Sequence, residues 1–455
     1  GRMFVLILCS LLVLVALLLL YTKETICPSD DPSFLQFQKI YLSVYLLAVA
    51  GDWLQGPHVY ALYESYGMSK HEIELLFIAG FGASLIVGTF IGSLADSIGR
   101  RRNCFIYGIV YSLSCLTKHV PDLRVLLIGR ILGGIATSIL FSAFESWMIT
   151  EYKKRNFTSS HLSIIASNSS LFNSFIAVLS GIVAQFAADY FGFVGPFDVS
   201  IVVLLLMSLL LFFLWPENYG EDGVAVSHSF TKALKQIATD HRILYLCLVQ
   251  SLFEGAMYIF VLEWTPALTQ AALIGQTLPH GLIFASFMLS TVVGACFFKI
   301  LTNYTSVENI LRFAVLLSAI CLSMPFIFPF SINVLYPSFL LYEVCVGIFW
   351  PAMAYLRGLY LQEETRATTT TIFRVPLNII VILILLKDLP LITIFKCCFG
   401  FLIGASLAQN FLYRFGWEMG GSKRRICLFN RVSITRTKRE QVPSEPLKED
   451  GDSAI

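Results

Sequence analysis

The chain has 455 residues, of which 56% are hydrophobic and 14% are charged. A soluble globular protein carries roughly 25% charged residues and about 45–50% apolar ones. The composition therefore excludes a soluble enzyme, a nucleic-acid-binding protein and a disordered chain. The net charge of +2 does not point to a metal site or a cofactor. The 11 cysteines are scattered and contain no CxxC pair, so they do not point to one either.

Thirteen apolar runs follow one another along the chain. They lack the residue-by-residue alternation of barrel strands, and most are long enough for a helix of about 20 residues to cross a bilayer. The sequence therefore predicts an all-α polytopic membrane protein. The runs are 3–21, 40–63, 72–95, 103–118, 124–151, 161–190, 196–215, 241–268, 278–299, 308–329, 333–356, 370–387 and 391–415.

The first run is either a signal peptide or an additional membrane helix. The residues that follow it, Tyr21 to Lys23, offer no small-residue cleavage site. If the runs alternate in direction, most of the 32 Lys and Arg residues fall on one side of the membrane, which the positive-inside rule makes cytoplasmic. We therefore expect 1–21 to be an uncleaved helix that begins outside, whereas a cleaved signal peptide would invert the topology.

The same topology predicts how the rest of the chain is divided. Segment 22–39, the loop 216–240 and the tail 416–455 are expected to be cytoplasmic. The loop separates two groups of six runs, 40–215 and 241–415. The two groups echo each other, because Gln or Glu precedes Gly in the first run of each. Two such halves are typical of transporters whose substrate site lies at their interface near the midplane.

A glycine- and arginine-containing motif lies between the second and third runs of the first half. Segment 92–102 reads GSLADSIGRRR and resembles the cytoplasmic signature of the major facilitator superfamily. Its glycines allow a tight turn and close helix approach, and its arginines anchor the loop at the inner leaflet. The resemblance implies a conformational latch formed by Gly92, Asp96, Gly99, Arg100 and Arg101.

Several further blocks resemble one branch of that superfamily, the eukaryotic molybdate-anion transporter family. The resemblance implies uptake of molybdate across the plasma membrane by a monomer that needs no cofactor. It covers about 33–414, and its blocks are FLQFQ (34–38), DWLQ (52–55), YSLSCLTK (111–118), GRILGG (129–134), LFSAFESW (140–147) and FRVP (373–376).

Two arginines are candidates for binding an oxyanion. A guanidinium can hold such an anion through two parallel hydrogen bonds, and Arg130 lies inside a predicted helix. Alternatively, Arg130 pairs with a carboxylate such as Asp52 or reaches the headgroups. Arg374 follows a run of threonines near a helix start, where free amides also bind anions. The alternative is a capped helix start with the arginine at the headgroups.

Buried acidic and polar residues complete the candidate site. Charged groups inside membrane helices are costly and point to function. Asp52 and Glu343 are interpreted as proton carriers or salt-bridge partners, and Glu254 is a further candidate. His58 is either a proton relay or a buried structural histidine, and Gln55 is a candidate for binding substrate hydroxyls.

Small residues on the fourth run are interpreted as structural. Gly129 and Gly133, with Gly134 and Ser138, form small-xxx-small pairs that allow close approach of a neighbouring helix.

The sequence leaves more than one function class open. The main hypothesis is a molybdate transporter that works by alternating access in the lipid bilayer and is coupled to protons. The alternatives are a carrier of the same fold for a sugar or an organic anion, with Asp52 and Gln55 binding hydroxyls, and a sensor that no longer transports. The sequence contains no HExxH, Gly-x-Ser-x-Gly or Walker motif, which argues against an enzyme.

Overall fold

The computed structural model describes residues 2–21, 31–157, 159–219, 226–272, 277–302, 304–361 and 366–418, without the side chains of 89–97, 159–160, 162–164, 166–167, 170, 226–230, 358, 366–368, 370–371 and 416–418. All the elements in these ranges are α-helices, as predicted. They are α1 (Arg2–Tyr21), α2 (Pro32–Trp53), α3 (Val59–Ser65), α4 (Lys70–Ile98), α5 (Arg100–Thr117), α6 (Leu123–Leu140), α7 (Ala143–Lys154), α8 (Ser159–Phe191), α9 (Gly195–Leu214), α10 (Val226–Thr239), α11 (His241–Ala271), α12 (His280–Leu301), α13 (Val307–Ile327), α14 (Ile332–Tyr360), α15 (Arg366–Leu386) and α16 (Leu391–Glu418).

The helix boundaries add detail to two of the predicted segments. Helix α2 begins at Pro32, where the Asp31 carboxylate accepts a 2.9 Å hydrogen bond from the Ser33 amide, so residues 32–39 of the segment 22–39 are helical. The connection 216–240 contains the helix α10. Of the predicted tail, residues 416–418 belong to α16, and the remainder lies outside the described residues.

Most of the helices can cross a membrane. Within the described ranges, 11 spans are long and apolar enough, and Ile372–Leu386 is a shorter apolar stretch. Helix α5 is less apolar, since it begins with three arginines, and it is covered by α6 and α9. The protein is therefore a multi-pass membrane protein.

The helices pack as two groups, α2–α9 and α11–α16, which we call the N-half and the C-half. In the N-half, α4 packs on α6, and α5 packs on α6 and α9. In the C-half, α11 and α13 pack on α16, and α12 packs on α14. Helices α8 and α12 meet across the interface between the halves, as do α4 and α15.

Helix α1 packs against the C-half. It contacts α12, and the Phe4 ring meets the Tyr336 ring of α14 at 5.1 Å. The opposite face carries exposed apolar side chains, including Val13 and Leu17, each 60% exposed. A helix with one packed face and one apolar exposed face is suited to the rim of a membrane bundle. The helix that the first run predicts is therefore confirmed, while its retention in the mature protein stays a prediction.

Contacts between connections show which of them lie at the same end of the bundle. Tyr66 donates to the Lys118 carbonyl, His58 faces Phe193 and His280, and Lys70 donates to the Leu389 carbonyl. The connections 54–69, 118–122, 192–194, 277–279 and 387–390 therefore lie at one end, which we call the α3 end. The Arg100 amide donates to the Asn218 carbonyl, so the turn at Gly99 and residues 215–219 lie together at the other end of α4, which we call the latch end.

Candidate functional site between the two halves

Asp52 lies at the end of α2, where the helix stops before Gly56 and Pro57. Its carboxylate accepts a 2.5 Å hydrogen bond from the Tyr111 hydroxyl of α5. The charge of Arg130 also acts on Asp52. Asp52 is thus held by a neutral donor, with a cation nearby rather than in direct contact.

Arg130 lies on α6 against α4. Its Nε is 3.4 Å from the Leu76 carbonyl, and its guanidinium lies 4.9 Å from the centre of the Phe77 ring. The small residue Gly80 makes room for it, because a Cβ there would lie 2.8 Å from the guanidinium. Within the described part of the chain, no carboxylate oxygen lies within 4.0 Å of it. Arg130 therefore keeps most of its donors available.

Arg374 is the ninth residue of α15, roughly 12 Å along the helix from its start. Its guanidinium donates a 3.2 Å hydrogen bond to the Tyr258 hydroxyl at the middle of α11. This position is deeper than the helix start and the headgroup level considered from the sequence. No carboxylate of the described residues lies within 4.0 Å of Arg374 either.

Glu254 is a buried carboxylate of the C-half near Arg374. It is 2% exposed, accepts a 3.0 Å hydrogen bond from Gln250, and is acted on by the charge of Arg374. Gln250 in turn accepts a 2.9 Å hydrogen bond from Arg357. The buried carboxylate is therefore stabilised by an amide and by two cations at longer range.

Aromatic contacts connect the two arginines across the interface. The Tyr258 ring meets the Phe81 ring of α4 edge to face at 5.4 Å. Phe81 lies one turn from Phe77, on which Arg130 packs. The structure therefore brings Asp52, Arg130, Glu254 and Arg374 to one junction between the halves. The sequence shows Tyr258 as an aromatic residue of a membrane helix, but it does not show that Tyr258 connects Arg374 to the other half.

Three other candidates do not join this junction. Gln55 donates to the Gly51 carbonyl and to Ser200, so its amide is used inside the N-half. His58 faces His280 and Phe193 at ring distances of 5.8 and 6.0 Å near the α3 end. Glu343 accepts a 3.0 Å hydrogen bond from Thr291, between α12 and α14 within the C-half.

The latch motif is partly described. Gly92 and Asp96 are described in the backbone only, but Gly99 has a φ of 111°, which a residue with a Cβ rarely adopts. Arg100 hydrogen-bonds to Thr150 of α7, and Arg101 donates a 3.1 Å hydrogen bond to the Trp215 carbonyl. The arginines therefore join the α4–α5 turn to α7 and to the end of α9.

Glu217 contacts the latch motif, although the motif itself does not point to it. Its carboxylate accepts hydrogen bonds of 2.8 and 3.2 Å from the amides of Arg101 and Arg102, so it caps the start of α5. Its neighbour Asn218 donates to Glu151 at 3.1 Å, and Glu151 also lies 3.4 Å from Lys154. The Pro-Glu-Asn sequence directly after an apolar run could have identified this cap.

The two halves also contact each other at the α3 end. Lys70 of α4 lies 4.0 Å from Glu263 of α11 and donates a 3.0 Å hydrogen bond to the Leu389 carbonyl. Gln185 of α8 accepts a 2.8 Å hydrogen bond from the Gly281 amide of α12. The α3 end is therefore held closed by polar contacts between the halves.

Known proteins resemble this chain over most of its length. Residues 3–344 match a family model described as sugar transporters with 12 TM. The molybdate-anion transporter of Xenopus tropicalis is 33% identical over 372 residues, covering 77% of this chain and 78% of the relative. That of Danio rerio is 30% identical over 415 residues, covering 83% and 85%.

A solved transporter structure has a similar fold. The crystal structure of the nucleoside transporter NupG aligns with a TM-score of 0.63 at 11% identity, covering 83% of this chain and 99% of NupG. These relatives and the solved neighbour are named as transporters, which supports the exclusion of an enzyme. The family match and the identity to curated relatives show that the chain belongs to the molybdate-anion transporter family of the major facilitator superfamily.

Proposed function

We propose that this protein carries molybdate across the membrane by alternating access between its two halves. One observation carries the proposal: Arg130 of the N-half and Arg374 of the C-half approach the same aromatic junction, and neither is in direct contact with a described carboxylate. The relatives named as molybdate-anion transporters support the choice of anion.

The chemistry of the two arginines fits a tetrahedral dianion. Each guanidinium can donate two parallel hydrogen bonds to a pair of oxygens, and the two positive charges balance the two negative ones. Because one arginine belongs to each half, a bound anion draws the halves together. Arginine is better suited to this task than lysine, because its planar fork matches two oxygens at once.

Proton coupling is the second part of the proposal. The charge of Arg130 acts on Asp52, and that of Arg374 acts on Glu254. An incoming dianion would be repelled by two ionised carboxylates, so binding is favoured when they take up protons. Asp52 and Glu254 are therefore proposed as the proton-accepting groups, with Tyr111 donating a hydrogen bond to Asp52 and Gln250 donating one to Glu254.

The orientation in the membrane is proposed from charge. The latch end carries Arg100, Arg101 and Arg102 and is assigned to the cytoplasm, together with the C-terminal tail. The α3 end is then outside, and the conformation described here is closed to the outside. We propose the plasma membrane as its location and a monomer as the working unit, with halves 40–215 and 241–415 joined by 216–240.

The latch is proposed to stabilise one access state of the transporter. Gly92, Asp96, Gly99, Arg100 and Arg101 form its motif, and Glu217 holds the start of α5 beside it. Replacing Glu217 with Gln removes the negative charge from this helix start and is expected to slow transport without changing the apparent affinity for substrate.

Uptake by the purified protein in liposomes tests the proposal. Molybdate accumulation is measured by elemental analysis at several external pH values, with sulfate, a hexose or an organic anion as competitor. Saturable uptake that rises as the external pH falls is expected. Competition by the hexose with no competition by sulfate would favour the sugar carrier instead. Absence of any uptake by correctly inserted protein would favour the sensor.

A further inference from the structure

A group of potential metal ligands lies at the α3 end, apart from the substrate junction. His71 and Glu74 are three residues apart on α4, and Asp388 lies in the connection between α15 and α16. The ligand atoms of these three side chains all lie within 4.8 Å of one another. The group therefore joins the N-half to the C-half.

Glu74 lacks hydrogen-bond donors although it is buried. It is 2% exposed, and neither of its carboxylate oxygens has a hydrogen-bond partner among the described residues. The Nδ1 atom of His71 is also buried and has no hydrogen-bond partner in the part of the chain that the structure describes. Burying a charged carboxylate without compensation is very costly. This environment indicates that a positively charged ligand belongs beside Glu74.

Glu263 provides a separate observation that points the same way. It lies on α11, is 1% exposed, and has an Oε2 atom to which no described residue donates a hydrogen bond. Glu74 and Lys70 both act on it electrostatically. A second buried carboxylate from the other half therefore faces the same group.

Lys70 does not satisfy these carboxylates by itself. Its ammonium lies 3.7 Å from Glu74 and 4.0 Å from Glu263, beyond hydrogen-bond distance, and it donates at 3.0 Å to the Leu389 carbonyl. One ammonium stands among the three carboxylates of Glu74, Glu263 and Asp388. If all three are ionised, two negative charges remain after that of Lys70 is subtracted, and a divalent cation would balance them.

We propose that a divalent transition-metal cation of the zinc class binds His71, Glu74 and Asp388 at the α3 end. Zinc accepts mixed imidazole and carboxylate ligands in a four-coordinate site. Asp388 is exposed and gives the ion a path from the solvent. Because the ligands come from both halves, the ion holds the α3 end closed and so slows the return of the transporter to its other state.

Zinc binding to the purified full-length protein is the direct test, and it does not depend on which substrate is transported. Zinc chloride is titrated against the protein in detergent, with binding followed by calorimetry and stability by the melting temperature. We expect one saturable site and a higher melting temperature. His71→Ala and Asp388→Asn are each expected to weaken binding more than about 10-fold, since even outer hydrogen-bond partners of a metal site contribute about 10–100-fold.

Glu72→Gln is the matched control. Glu72 is an acidic residue on the same helix, but its carboxylate accepts a 2.8 Å hydrogen bond from the Ser69 amide. Its replacement should leave zinc binding unchanged. Equal zinc affinity in the wild type, His71→Ala and Asp388→Asn would overturn the proposal, as would an absence of binding by the folded wild type.

The transport assay then tests the effect of the ion, and this step rests on the proposed function. External zinc is expected to reduce molybdate uptake by the wild type at least twofold and to leave Asp388→Asn unaffected. Binding without inhibition would contradict the closing role. Binding by a protein that takes up no molybdate would contradict the proposed function while leaving the metal site in place.

Discussion

The guanidinium of Arg374 donates a 3.2 Å hydrogen bond to the hydroxyl of Tyr258, at the middle of a neighbouring helix. The same tyrosine ring meets Phe81 of the other half. The residue that orients a candidate anion-binding arginine is thus also a contact between the halves. Movement of the halves is therefore expected to alter the position of Arg374.

Removing the Tyr258 hydroxyl should weaken substrate binding without removing the arginine. A hydrogen bond of this kind contributes about 0.5–1.5 kcal/mol, so Tyr258→Phe is expected to raise the KM for uptake by about 3- to 10-fold. Tyr355→Phe is the control, because that side chain is 50% exposed. An equal change of KM in both variants would contradict the role of Tyr258.

Arg130 is expected to be essential for uptake. A hydrogen bond to a charged group contributes about 1.5–3 kcal/mol, so Arg130→Ala should raise the KM by about 10-fold or more. Arg124→Ala is the matched control, since Arg124 is an exposed arginine on the same helix. The measurement is initial uptake normalised to the amount of inserted protein. Unchanged uptake by Arg130→Ala would place the anion elsewhere.

Asp52 is expected to determine the pH dependence of uptake. When ionised it repels the dianion, and when protonated it does not, so wild-type uptake should rise as the external pH falls. Asp52→Asn fixes the neutral form, and its uptake should change much less between acidic and neutral pH. The test compares pH profiles of initial rates for the two proteins. Identical profiles would assign the coupling to another group.

Gly134 is expected to be required for folding, because it lies where α6 crosses α4. A Cβ at this position would press against the Gly80 carbonyl, and overpacking of this kind costs about 1–3 kcal/mol. Gly134→Ala should therefore lower the melting temperature and the yield of folded protein. Gly82→Ala is the control on α4, since a Cβ there meets nothing within 4 Å. Equal stability of the two variants would contradict the close crossing.

The amino-acid sequence by itself determined the class of the protein. Long apolar runs must form helices in a bilayer, because backbone groups in lipid have no other partners. The thirteen predicted runs, including 3–21, therefore correspond to observed helices, and the small residues around Gly134 correctly marked a close crossing. The motif at 92–102 and the resemblance of the blocks identified the family, which the relatives confirm.

Only the tertiary structure decided which polar side chains meet. His58 lies with His280 rather than with Asp52, and Glu343 lies inside the C-half. Glu217 caps a helix that begins more than a hundred residues earlier in the chain. Such contacts depend on the rotation and depth of each helix. Hydropathy does not encode them, because helices in lipid are apolar on the exposed face as well as on the packed face.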